Sequence, residues 1–98
     1  MPRISFTFEI SRPKLTRFVA EKLGLKTLEL RGEDAAPAIV AFLIDRKISE
    51  EDAGRFVKTV SLDTHRYPWG QVLTAIIEGE GEAFLKACAA LNDLIISN

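Results

Sequence analysis

The sequence predicts a mainly α domain: about five short helices packed around a central helix at 34–47, with a small N-terminal β element. Three observations support this. Residues 35–44, Ala-Ala-Pro-Ala-Ile-Val-Ala-Phe-Leu-Ile, carry no polar side chain. Helix-start and helix-stop residues recur along the chain. Strict polar–apolar alternation is confined to residues 3–10 and, more weakly, 26–31.

The central run is too short to cross a bilayer, which takes roughly 20 apolar residues, and its length suits a buried helix. Its alanines favour helix over strand. Asp34 is placed to cap the first turn, Pro37 falls where no amide partner is lost, and Arg46 and Lys47 sit at the negative end of the helix dipole. Helical spacing puts Ile39, Phe42 and Leu43 on an inner stripe widened by Val40 and Ile44. Asp34, Ala38, Ala41 and Asp45 fall on the other side, facing water or a closely packed helix.

Residues 3–10 read as a half-buried strand, with Ile4, Phe6, Phe8 and Ile10 on one face and Arg3, Ser5, Thr7 and Glu9 on the other. Ser11 caps the next helix, Pro13 lies in its first turn, and Gly24 ends it. Leu15, Phe18 and Val19 form its inner stripe, with Leu23 as a further candidate. Residues 26–31 alternate again, so a second strand there would complete a parallel strand–helix–strand unit. After the central helix, Ser49 caps a helix running to about Val60, with Glu50, Glu51 and Asp52 at its positive end. Gly54 within it points to a close helix crossing. Segment 57–62 reads as the tail of that helix, with a third strand as the lesser alternative. Pro68 opens a further helix carrying Trp69, Val72, Leu73, Ile76 and Ile77 inward. Gly79 and Gly81 break the chain before a last helix at about 82–96, with Phe84, Cys88, Leu91 and Ile95 at heptad-like spacing and Leu85 and Leu94 beside them.

Ninety-eight residues, 47% apolar and 28% charged, describe one small globular domain. A single cysteine excludes an internal disulfide and fits a reducing cytoplasm. The alternating N-terminus does not read as a signal peptide, and no apolar run suits a membrane span. The formal charge of −1 is divided unevenly. Residues 1–31 hold seven Lys/Arg against three Asp/Glu, or +4. Residues 32–98 hold six against eleven, or −5.

Catalytic and cofactor chemistry find little purchase. One histidine and one cysteine cannot complete a four-ligand zinc site. Glu50, Glu51 and Asp52 lack calcium-loop spacing. Cys88 with His65 would need an open, positive surrounding, yet Cys88 falls on an apolar stripe. Gly79-Glu80-Gly81 is flanked by carboxylates that repel phosphate. Pro2 would offer a basic secondary amine only were Met1 removed. The sequence thus specifies no catalytic residue, cofactor or metal.

The expectation is a non-enzymatic protein-interaction or regulatory module whose partner is another protein or a second copy of itself. Two surfaces are candidates: the edge of strand 3–10 with Phe6 and Phe8, open to strand addition, and the loop cluster His65, Arg66, Tyr67 and Trp69, residue types enriched in binding hot spots. The alternative is a nucleic acid-associated regulator using the basic face of Arg12, Lys14, Arg17, Lys22 and Lys26.

Overall fold

A computed structural model describes residues 3–96. Its order is β1 (Ile4–Ser11), α1 (Arg12–Leu23), a 3-10 turn (Gly32–Asp34), α2 (Ala35–Asp45), α3 (Glu50–Phe56), β2 (Val57–Leu62), β3 (Val72–Gly79) and α4 (Gly81–Leu91), followed by a 3-10 turn (Asn92–Leu94). This is an α+β fold with four helices and a three-stranded sheet, which corrects the mainly α, five-helix expectation. The sheet order is β1-β3-β2, and both pairings with β3 are antiparallel.

The largest correction lies at 72–79. Inward helical spacing fits Val72, Leu73, Ile76 and Ile77, but so does period two. Leu73, Ala75, Ile77 and Gly79 all face the helices, and all are buried. As the central strand, β3 is also apolar at Val72 and Ile76 on its other face, which disguises the alternation. Pro68 starts no helix. It sits in a turn closed by Gly70 N–H donating to Tyr67 C=O at 3.2 Å.

Segment 57–62 is a strand, not a helix tail. Helix α3 stops at Phe56, where Val57, Thr59 and Val60 introduce β-branched side chains that lose rotamer freedom in a helix. Gly54 has nothing within 4 Å of where a side chain would project, so it marks no close crossing. Segment 26–31 forms no strand. β1 pairs with β3 instead, and the Leu30 carbonyl accepts from the Arg12 guanidinium, Nε at 2.8 Å. No parallel strand–helix–strand unit forms.

Other local signals act as their chemistry dictates. Ser11 Oγ accepts from Lys14 N–H at 3.2 Å and Ser49 Oγ from Asp52 N–H at 3.1 Å. Gly24 takes the left-handed conformation, φ 68°. Asp34 makes no side-chain cap, because the 3-10 turn before α2 already supplies a helical entry.

The core lies between one sheet face and the helices. Ile39, Phe42 and Leu43 of α2 are buried as the stripe requires, and so are Ala35 and Ala38. Ala38, expected to face water or a closely packed helix, meets the second condition, because α2 is enclosed by α1, α3, α4 and β2. Ala41 and Asp45 are exposed. So, against expectation, are Ile44 and, at the end of α1, Leu23, both placed on inner stripes. Phe42 meets Phe18 edge-on at 5.2 Å. Phe56 and Phe84 meet edge-on at 5.3 Å over Gly79, whose missing side chain leaves room for both rings. The opposite sheet face is mostly polar, built from Ser5, Thr7, Glu9, Thr59, Ser61, Thr74 and Glu78, with Val72 and Ile76 among them.

Candidate functional site: the outer edge of β1 and its flanking loop

β1 is an edge strand. Its register with β3 runs unbroken from Ile4–Gly79 to Ser11–Val72. Among the described residues its far edge is covered only at one end, by an Ile10–Ile95 bridge in which Ile96 N–H donates to Glu9 C=O at 3.1 Å. Along residues 4–8 no described strand lies beside it. The helix layer thins here as well. Ile10 is fully buried and Phe8 half-buried, whereas Phe6 is 44% and Ile4 42% exposed. Phe6 stacks on Phe84 at 6.1 Å, so half of its ring is anchored and half meets solvent.

The other edge, β2, is built differently. Its register slips between Val57 and Thr59, Lys58 is exposed at that bulge, and the Gly32–Asp34 turn packs beside it. Bulges, edge lysines and covering turns are how sheets discourage strand addition. Among the described residues β1 carries none of these at 4–8.

The 63–70 loop lies beside β1 and is held by two carboxylates. Asp63 accepts from the His65 and Arg66 amides at 3.1 and 3.0 Å, from the Arg66 guanidinium, and from Thr74 Oγ1 at 3.4 Å. Glu9 of β1 accepts from the Tyr67 hydroxyl at 2.7 Å and pairs with Arg66 at 3.5 Å. The Arg66 amide, followed by the His65 amide and the Arg66 side chain, holds the Asp63 carboxyl below its ordinary range. The Glu9 hydrogen bond raises the Tyr67 phenol above its own. Asp63 therefore favours the folded loop above the unfolded carboxylate value and loses that contribution as pH falls through its lower folded value. Tyr67 favours the fold below the unfolded phenol value and loses that contribution as pH rises through its higher folded value. With ordinary values of about 4 and 10, the loop should stay docked between them. Protection of the His65 and Arg66 amides, relative to their intrinsic exchange rates, should fall below that window, and Asp63→Asn should lower it at neutral pH. Unchanged exchange in Asp63→Asn would show that another contact holds the loop.

The predicted loop cluster is thus only partly a free surface. Tyr67 and Arg66 are committed to Glu9 and Asp63, while the His65 side chain is exposed. Trp69 is 78% exposed and is not the core anchor of a helix. It stands at one end of a groove of about 680 Å³ whose lining includes Pro13, Arg17, Ala20, Leu25 and Lys26.

The predicted basic face does not assemble as one free patch. Arg12 binds Leu30 C=O and reaches Gly70 C=O at 3.3 Å. Lys14 donates to Ile95 C=O at 2.9 Å, and Lys22 pairs with Asp45 at 2.7 Å. Arg17 and Lys26 share their groove with Glu21 and Glu29. Cys88 is half-buried on α4, and burial pushes its thiol up, which disfavours the reactive thiolate. Among the described residues no three His, Cys, Asp or Glu side chains form a metal-binding group, and no helix is long and apolar enough to cross a membrane. The Pro2 amine lies outside the described residues. No family model, curated protein or solved structure matches the chain.

Proposed function

We propose that the chain is a non-enzymatic interaction module that takes up an extended segment of another polypeptide along the outer edge of β1. The observation that carries this reading is the contrast between the two sheet edges: β2 is bulged and shielded, while β1 is regular, has no described neighbour along 4–8 and exposes Ile4 and Phe6. In strand addition, main-chain hydrogen bonds supply affinity and alternate side chains supply selectivity. Ile4 and Phe6 would be those side chains, and the Glu9–Tyr67 contact stiffens the strand beside them.

Ile4→Lys tests the seam directly. Ile4 is exposed at a strand end, so the change should cost the fold little. Retention of partner chains on the immobilised protein should fall at least tenfold, and Trp69→Ser should leave it unchanged. The opposite pattern would move the seam to the 63–70 loop.

A further inference from the structure

Backbone parity along β1 narrows the choice of partner. One step beyond the strand, Arg12 N–H donates to Gln71 C=O at 2.8 Å, continuing the register that pairs Ile10 with Leu73 and Phe8 with Ala75. Even-numbered residues therefore turn their amides and carbonyls toward β3. Glu9 C=O points the other way, where it meets Ile96 N–H. Alternation in an antiparallel strand then aims the N–H and C=O of Ser5 and Thr7 outward, along the stretch with no described neighbour.

The geometry points to a second copy of this chain as the occupant, its β1 running antiparallel to the first about a two-fold axis at Ser5. This rests on the strand-addition reading above. Symmetric pairing keeps its hydrogen bonds only when outward, odd-numbered residues face one another. With Ser5 opposite Ser5 and Arg3 opposite Thr7, that condition is met, and residues 3–7 of the incoming strand stay clear of the described segment at 95–96. Centring the pair on Phe6 or Thr7 instead would drive Arg3 or Ser5 of the second copy onto Ile96.

The Ser5 register also places Ile4 opposite Phe6 of the second copy, twice by symmetry. These are the two exposed apolar side chains of β1, and aromatic–β-branched pairs are favourable across strands. No like charges oppose each other. The axis stands perpendicular to the sheet, so the helix-covered faces of both copies join. The result is a continuous six-stranded sheet whose outer edges are both β2. Because β2 is bulged and carries Lys58, assembly closes at two copies.

Ser5→Pro is the test. Proline is tolerated on an edge strand where the lost N–H faces away from the ladder, so β1–β3 pairing should survive. By sedimentation, the wild type should show twice the chain mass at high concentration. Ser5→Pro should show one chain mass with an unchanged far-UV circular dichroism spectrum. A wild type that stays at one chain mass overturns the second copy while leaving the edge to a foreign strand. A dimer that survives Ser5→Pro is joined elsewhere and overturns the pairing of β1 with β1.

Should Ser5→Pro fail to fold, nitroxide labels at Ser5→Cys or Thr7→Cys, each in a Cys88→Ser background, give an independent measure. Labels at Ser5 would face each other. Those at Thr7 would be offset by four residues, roughly 13 Å along the strand. Stronger dipolar broadening at Ser5 supports the register, and equal or reversed broadening overturns it.

Discussion

Phe42→Ala is expected to remove most of the stability of this protein. Phe42 is 3% exposed, packs edge-on against Phe18 at 5.2 Å, and lies under the Arg46 guanidinium at 4.5 Å. Truncating a buried phenylalanine costs about 3–5 kcal/mol, because the surrounding side chains refill the cavity only in part. The whole margin of a small domain is about 5–15 kcal/mol. For a chain of this length, such a loss lowers Tm on the order of 15 °C or more. Thermal denaturation followed by circular dichroism checks it. An unchanged Tm would show that α2 does not organise the core.

Gly79→Val should be nearly as damaging, for the opposite reason. A side chain at residue 79 would begin 2.7 Å from Phe84 Cδ1 and 2.8 Å from Phe56 Cδ1. Both rings are buried and braced against each other, so neither can swing away as a surface side chain would. Overpacking of this kind costs about 1–3 kcal/mol per insertion, and valine adds two methyl groups beyond the first clash. Urea denaturation should show a lower midpoint with Gly79→Ala between wild type and valine. A valine variant as stable as wild type would mean that the Phe56–Phe84 pair does not sit over the strand.

These two residues also mark how far the fold was legible in the sequence. Phe42 belongs to a run without polar residues, flanked by helix-compatible ends, so helix, burial and stripe could all be read. Strand 3–10 was equally plain, because an edge strand with one wet face alternates cleanly. Gly79 was read as a chain breaker between helices, since nothing local says that two aromatic rings converge on it. β3 was misread because a central strand is apolar on parts of both faces, and Val-Leu-Thr-Ala-Ile-Ile satisfies helical spacing as well as period two. The alternation at 26–31 was real, but Arg12 claims the Leu30 carbonyl, and the segment packs without a strand partner among the described residues.

Of the candidate surfaces, the β1 edge with Phe6 and Phe8 was visible from alternation alone. Its undefended state became apparent only beside β2, whose bulge is a property of pairing and not of composition. The loop residues 65–69 were found by type, yet their division into a docked pair, Arg66 and Tyr67, and an exposed indole, Trp69, depends on Glu9 and Asp63 from distant positions. The basic N-terminal third was legible as a count, but the contacts Arg12 and Lys22 make with a carbonyl and a carboxylate depend on positions that only folding brings near.

Residue-resolved amide exchange on β1, at a dilution where the protein is a single chain, tests the central claim most directly. An open outer edge predicts a two-residue rhythm: slow exchange at Phe6, Phe8 and Ile10, and fast exchange at Ser5 and Thr7. Protection at all five positions would mean that the edge is already covered within one chain, and the account of how this protein meets its partner would fail.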